Sequence, residues 1–546
     1  MTMQRTPLLL HRLMDRGAKV APDVEIVTKT AEGTHRQSVA QTRARACQLA
    51  HALAADGVRP GDRVASFCWN NHYHLEMYQG IPSMGAVLHT LNIRLSPGEL
   101  EYIVNHAEDS VILTDQDTLP LLEPLAGKIP TVRRVIVCRE PGAGPWETAL
   151  PNAVDYDDWI ADHPTGCEWP ELDENAPMGL CYTSGTTGNP KGVMYTHRST
   201  YLHTMAQCMT DAMSLSATDA IQEIVPMFHA MSWGVPFSAL MLGAKQVLPH
   251  RFMTADALLD LMAEEGVTIS AGVPTIWQGM MAAILADPER WDVGALTRVT
   301  CGGSAPPPAL IQWFWDYLGC EMIQGWGMTE TNPLATISRR VAKREHLTML
   351  EEERIANQCK AGLLIPGLEL EVFDDEWNVL PHDGKSVGEV CIRGPWICSE
   401  YYHDPQPDKF HDGWLVTGDV GMIDPAEYLI LTDRSKDLIK SGGEWISSID
   451  LENHICALPS VLQAAVVAAP HPRWDERPIA VVVRAEGQDP APEEILAHCA
   501  ERFAKWQLPD EILFRDAIPL TSTGKIDKKN IRAALDAEGY RLPDLR

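Results

Sequence analysis

Ten consecutive residues, Thr183-Ser184-Gly185-Thr186-Thr187-Gly188-Asn189-Pro190-Lys191-Gly192, carry four hydroxyls, three glycines and one lysine. Glycines let a backbone come close to a ligand and present its N–H groups. Hydroxyls and an ammonium add donors suited to phosphate oxygens. The spacing is not that of a Walker A loop, because Pro190 follows Gly185 by five positions and Gly192 follows Lys191. A second segment, Gly325-Trp326-Gly327-Met328-Thr329-Glu330, sets an aromatic face beside glycines, as stacking on a planar base requires. It also sets a carboxylate one residue past a hydroxyl, a donor pair suited to Mg²⁺ with phosphates. Glu330 stands where a dinucleotide fingerprint needs its last glycine, so that motif is excluded. Asp419, in Thr417-Gly418-Asp419, could accept both hydroxyls of a ribose, and Arg434 could donate to the same sugar. Lys525, in Thr521-Ser522-Thr523-Gly524-Lys525, could bring charge to a developing phosphate. Singly, each has an ordinary structural explanation: a surface loop, a core indole, a turn, a solvated lysine.

Elements must hold these groups. The run Met178–Tyr182 predicts a strand and Val193–Thr196 another, which makes the hydroxyl-rich stretch a hairpin-like loop. From 245 to 330 strand and helix alternate. Gln246–Leu248, Val267–Ala271, Arg298–Cys301 and Glu321–Gln324 read as strands, and Thr254–Glu265, Pro274–Leu285 and Pro308–Leu318 as helices, with Thr254 as N-cap. That alternation predicts a parallel, doubly wound sheet, with ligands beyond the carboxyl ends of its strands. Two loops fall there, Gly302-Gly303-Ser304-Ala305-Pro306 and the segment from Gly325 to Glu330. Residues 139–177 read as a surface excursion. Beyond Arg434 the texture changes to a small α+β unit: helices near Ser448–Cys456, Pro492–Phe503 and Lys525–Leu535, strands at Ala464–Ala469 and Ile479–Val483.

At 546 residues the chain is too long for one core, and about three to four units are expected. Its formal charge of −29 lacks the footprint of a nucleic-acid binder, though it permits local binding of small anions. Thirteen scattered cysteines without a CxxC pair point to free thiols rather than a disulfide framework or zinc site. The opening residues do not make a signal-peptide core, and no run of about 18 apolar residues suggests a membrane helix. A cytoplasmic location is the expectation.

Together and in this order, the segments resemble the adenylate-forming superfamily of acyl-CoA synthetases, nonribosomal-peptide adenylation domains and luciferases, over about residues 10–540. Lys440-Ser441-Gly442-Gly443-Glu444-Trp445-Ile446-Ser447 and Ala504-Lys505-Trp506-Gln507-Leu508-Pro509 resemble the bacterial branch of medium- and long-chain fatty-acyl-CoA synthetases and methylmercaptopropionate-CoA ligases. The resemblance implies an α/β fold: a large N-terminal domain, 1–433, with doubly wound sheets and a β-rich subdomain, and a small mobile C-terminal α+β domain, 434–546. It implies ATP, Mg²⁺ and CoA: a carboxylate attacks the α-phosphate to give acyl-AMP and pyrophosphate, then the CoA thiol displaces AMP.

Residue by residue, the resemblance implies that Thr183, Ser184, Gly185, Thr186, Thr187, Gly188 and Lys191 grip phosphates, with Thr186 and Glu330 at the metal. Trp326, between Gly325 and Gly327, would stack on adenine, where the family more often has Tyr. Gly302, Gly303 and Ser304 would line the slot between adenine and acyl group. Thr329 would touch the α-phosphate. Asp419 and Arg434 would hold the ribose, and Lys525 would bridge the carboxylate and α-phosphate. Lys436 matches the hinge, and Gly442, Gly443 and Glu444 the loop that serves thioester formation. His229 would lie at the carboxylate end of the acyl site, Trp233 would gate it, and Val273 and Pro333 would help wall it.

The wall around His203–Cys208, Trp233, Val273–Trp277 and Met328–Leu334 is largely apolar and shows no cation, which favours a linear apolar acid, a medium-chain fatty acid first. Methylmercaptopropionate or another short-chain or aryl acid is the alternative. An adenylation domain loading a carrier protein, a silent nucleotide-binding regulator and a luciferase-like oxygenase are weaker readings. Homodimers occur among related synthetases, which makes a homodimer an expectation by analogy.

Overall fold

In a computed structural model, residues 3–183, 189–434, 437–441, 444–521 and 526–540 are described, with backbone only at 434, 444 and 445. Four sheets organise them. The strands predicted between 245 and 330 form at Lys245–Leu248, Ile269–Gly272, Arg298–Cys301 and Glu321–Gly327. They alternate with helices Ala255–Glu265, Pro274–Ala286 and Pro308–Leu318. Thr254 caps the first helix by accepting from Ala257 N–H, and Gly266 ends it at φ 62°. Proline opens the other two helices, where its missing N–H costs nothing.

These strands lie in a nine-stranded sheet that runs from Leu363–Leu364 at one edge to Gly33–Ser38 at the other. Its middle is parallel: Gly272 stands opposite Cys301, and Cys301 opposite Gln324. Their carboxyl ends therefore finish level, and the loops starting at Gly302 and Gly325 emerge side by side. Gly302 N–H donates to Gly272 O at 3.1 Å, which ties the first of these loops to the neighbouring strand.

A seven-stranded sheet contains Arg63–Phe67, Val87–Thr90, Val111–Asp115 and Arg134–Cys138, all parallel. At its edge Pro177–Tyr182 and Gly192–Thr196 pair antiparallel, with Tyr182 opposite Gly192, which is the predicted hairpin. Residues 139–177 are less irregular than expected. They add a short strand, Val154–Asp155, and a helical turn, Tyr156–Ile160, capped by Asp155.

An antiparallel five-stranded sheet around Trp414–Ile423 forms the β-rich subdomain, and its strand Leu429–Arg434 sets Arg434 opposite Asp419. The last sheet is separate in sequence. It pairs Val461–His471 with Asp475–Arg484 and is flanked by helices Ser448–Ile455, Pro492–Ala500 and Lys528–Ala537. Its core is Ile439, Ile446, Leu451, Ile455, Val466, Val482 and Ile495.

The cysteine expectation needs one correction. Cys47, on helix Val39–Ala55, is bonded to Cys167, 120 residues on, while eleven other cysteines are free, most of them buried. Partners so far apart share no local pattern, so sequence spacing cannot pair them.

Candidate active site

A cavity of about 740 Å³ opens where the carboxyl ends of the nine-stranded sheet meet the hairpin, the β-rich subdomain and the C-terminal helix Lys528–Ala537. Most of the described sequence-predicted groups border this one space. Thr183 and Lys191 reach it from the hairpin, and Thr183 N–H donates to Lys191 O at 2.9 Å. Gly302, Gly303 and Ser304 form one wall, and Gly325, Trp326, Gly327, Thr329 and Glu330 the next. His229, Trp233, Val273 and Pro333 border the apolar side.

Three arrangements give the site its chemistry. Trp326 Nε1–H donates to Asp419 Oδ2 at 2.8 Å, and Thr417 Oγ1 accepts from Asp419 N–H at 3.0 Å. The indole thus fixes the orientation of the carboxylate. Tyr401 O–H donates to Glu330 Oε1 at 2.6 Å, and the Glu330 side chain is almost fully buried. Burial and the nearby Glu330 charge raise the Tyr401 pKa, so the phenol keeps its proton and remains a donor. Lys191 Nζ lies 5.0 Å from the Tyr401 ring centroid, so the hairpin lysine and Glu330 meet at the same aromatic ring. Tyr195 O–H donates to Thr329 O at 2.7 Å and holds the backbone between the two acidic and hydroxyl groups.

The third arrangement is a left-handed turn. Ala230, Met231, Ser232 and Trp233 have φ of 43°, 50°, 51° and 55°, and Gly234 follows at 75°. Each non-glycine residue there costs roughly 1–2 kcal/mol, so the packing must impose the conformation. Ser232 Oγ–H donates to Val225 O at 2.7 Å, and Gln207 Nε2–H to Gly234 O at 2.8 Å. The turn presses Trp233 onto Gly302: a Cβ at 302 would come within 2.9 Å of the indole Cη2. Only glycine leaves that slot open.

Several expected groups lie outside the described residues: Ser184, Gly185, Thr186, Thr187, Gly188, Lys436, Gly442, Gly443 and Lys525, with the side chains of Arg434 and Glu444. Sequence reasoning missed Tyr401, Lys409 and Arg94, all of which border the cavity. The Arg94 guanidinium, outside the ranges expected to wall the acyl site, borders the cavity and sits 5.9 Å from the Phe228 ring centroid. Lys528 and Arg532 also border the cavity, but they are held by carboxylates, Lys528 by Glu452 at 2.8 Å and Arg532 by Asp437 at 2.9 Å.

The AMP-binding enzyme family model matches residues 14–402, and the model of that enzyme's C-terminal domain matches residues 450–525. The chain belongs to this family. It is an acid–thiol ligase of the AMP-forming acyl-CoA synthetase kind, a family that uses ATP and CoA. A 3-methylmercaptopropionyl-CoA ligase of Ruegeria lacuscaerulensis is 42% identical over 97% of this chain and 98% of its own length. A medium-chain-fatty-acid–CoA ligase of Ectopseudomonas oleovorans is 40% identical over 97% of this chain and 96% of its own. Among solved structures, the anthranilate CoA ligase AuaEII in complex with anthranoyl-AMP superposes with a TM-score of 0.86, covering 98% of this chain and 99% of that one at 27% identity. The fold these synthetases share, with two large sheets, a β-rich subdomain and a small C-terminal domain, is the one described above. Among the described residues, no helix is long and apolar enough to cross a membrane.

Proposed function

We propose that this synthetase activates a linear, mainly apolar carboxylic acid, a medium-chain fatty acid first, as acyl-AMP and passes the acyl group to CoA. The observation that carries this reading is the mixed lining of one cavity. Trp326, Thr417 and Gly418 border it together with Gly302 and Trp233 and with the apolar Met213, Ile224, Val225, Val273 and Ile276, while Asp419 reaches it only through its bond to Trp326. A nucleotide suits the first group, and an alkyl chain suits the apolar one.

In this reading adenine stacks on Trp326, and the ribose hydroxyls donate to Asp419 with Arg434 beside them. Thr183, Ser184, Thr186, Thr187 and Lys191 donate to the phosphates, and Thr329 to the α-phosphate. Two anions must approach one another, so fixed donors aimed at the growing charge lower the barrier. Glu330 fits a magnesium site: it is a buried carboxylate that borders the cavity, oriented by Tyr401 through one oxygen. Mg²⁺ held there, with Thr186, would offset phosphate charge. Lys525 donates to the carboxylate and α-phosphate oxygens. The chain divides at 433/434, and rotation about Lys436 withdraws Lys525 and brings Gly442, Gly443 and Glu444 to the thioester site.

A second reading, 3-methylmercaptopropionate or another short acid, is favoured by the 42% identical relative that carries that name. Methionines such as Met213 and Met253 at the wall pack equally well against a thioether or an alkyl chain. A panel of acids separates the two. AMP formation is measured with and without CoA for acids of graded length and for methylmercaptopropionate. The first reading requires kcat/KM to peak at medium chain length, and a peak at methylmercaptopropionate establishes the second.

A further inference from the structure

Glu223 is buried beside the left-handed turn, and no role in the cavity accounts for it. It follows strand Ala220–Gln222, and its side chain is sealed from solvent. Other buried glutamates have partners that suit an anion: Glu76 has Arg45, Tyr156 and Gln37, and Glu265 has Arg36 and Lys245. Among the described residues the Glu223 side chain has one hydrogen-bond partner, Ser232 Oγ at 3.3 Å from its Oε2, and its Oε1 meets no donor.

A hydroxyl carries one hydrogen. Val225 O lies 2.7 Å from Ser232 Oγ, the shorter contact, and takes that hydrogen. The same oxygen then accepts from a protonated Glu223 carboxyl. Val225 O also accepts from Asn70 Nδ2–H at 2.8 Å, and Asn70 donates to Glu223 O at 2.6 Å, so the strand end is clamped on both sides.

We propose that Glu223 is a positioning residue for the acyl site: through Ser232 it holds the turn from Ala230 to Trp233, and with it the Trp233 indole against Gly302. The proposal rests on the acyl-site reading above. An ionised Glu223 would compete with Val225 O for the Ser232 hydrogen and loosen the turn. Burial pushes the Glu223 pKa up to about 8, far above the usual carboxylate range, against the lowering effect of a hydrogen bond from Ser232. From helix His72–Ser83, Tyr78 is the titratable group that senses the Glu223 charge, and it spends its own proton on Met227 O. Among the described residues no Lys, Arg or His is a cause of the Glu223 shift. The turn that carries Trp233 is therefore held at neutral pH and loosened at alkaline pH.

The test uses ATP–pyrophosphate exchange driven by hexanoate without CoA, so that the thiol's titration does not enter. In the wild type the KM for hexanoate should rise by about tenfold between pH 7 and pH 9.5. Glu223→Gln, whose amide donates at every pH, should keep the neutral KM within about twofold and flatten the rise. Ser232→Ala should show the raised KM already at pH 7. A Glu223→Gln enzyme that keeps the wild-type rise, or a Ser232→Ala enzyme with wild-type KM, overturns the proposal. If no acid drives exchange, the function reading fails, and calorimetric unfolding decides on Glu223. The native state then holds a proton that the unfolded chain releases above its ordinary carboxyl pKa, so its stabilising effect fades as pH rises towards 8. Glu223→Gln should unfold at a higher temperature than wild type at pH 9 but not at pH 5.5, and a pH-independent difference refutes the role.

Discussion

Trp326 and Asp419 are 93 residues apart in sequence, and their side chains make one hydrogen bond of 2.8 Å. Under the proposed function the indole has two jobs, to face a base and to steer the carboxylate offered to the ribose, and phenylalanine would do only the first. Trp326→Phe should therefore raise the KM for ATP by about tenfold or more, since a hydrogen bond to a charged group contributes about 1.5–3 kcal/mol, while the KM for the acid stays unchanged. Steady-state kinetics with each substrate varied checks this, and an unchanged KM for ATP contradicts it. Lys525 carries the other prediction at this scale. Lys525→Ala should abolish adenylation yet spare thioester formation from supplied acyl-AMP, and equal loss of both half-reactions contradicts its role. That several of the named residues border one cavity was legible because Gly, Thr, Lys and Trp cluster within short windows. Tyr401 was not, because a single tyrosine 71 residues from Glu330 has no local signature, and only the fold brings its hydroxyl to 2.6 Å. Glu223 was not legible for the same reason: its peculiarity is that it lacks a cation among the described residues, and that shows only in three dimensions.

The elements were easier to read where chemistry punctuates them. Thr254, Pro274 and Pro308 mark helix starts by capping and φ restriction, and those three helices formed within a residue or two of expectation, whereas the one expected at Pro492–Phe503 ends at Ala500. The left-handed turn was not foreseen, since Ala230-Met231-Ser232-Trp233 contains no glycine and no local preference for positive φ. It follows from packing on both sides: helix Val235–Leu242 fixes its exit, and that helix lies on helix Leu10–Val20. The two helices approach so closely at Gly17 that a Cβ there would sit 1.7 Å from Leu240 O. Gly17→Ala should push the pair apart and destabilise the protein by roughly 1–3 kcal/mol, with a raised KM for the acid because the turn moves with its helix. Thermal unfolding and kinetics together check this. A variant with wild-type stability would contradict the contact.

At the scale of the whole molecule, the chain stores many polar groups inside. His72, His74, His197 and His203 are buried and held neutral by desolvation, with pKa values of about 4 for His74 and His197 and about 3 for His203. The unfolded chain protonates histidine near 6.5, so below that pH it binds more protons than the native state. Stability should then fall progressively as pH drops from 6.5 towards 4, and calorimetric unfolding midpoints measured at pH 7, 6 and 5 should decline in that order. Midpoints that stay level across this range would contradict the neutral state of these rings. The division into sheets was visible in outline, because alternating strand and helix signals give a parallel sheet and the change of texture near Arg434 gives a separate unit. The Cys47–Cys167 link was invisible, as was the way four separate regions close around one cavity.

That convergence is what the account rests on, and isotope exchange tests it most directly. Purified protein is mixed with ATP, magnesium, labelled pyrophosphate and a medium-chain fatty acid, with CoA left out. The account predicts acid-dependent appearance of label in ATP, lost in Lys525→Ala. Absence of exchange with every carboxylic acid in a panel of graded length would contradict it.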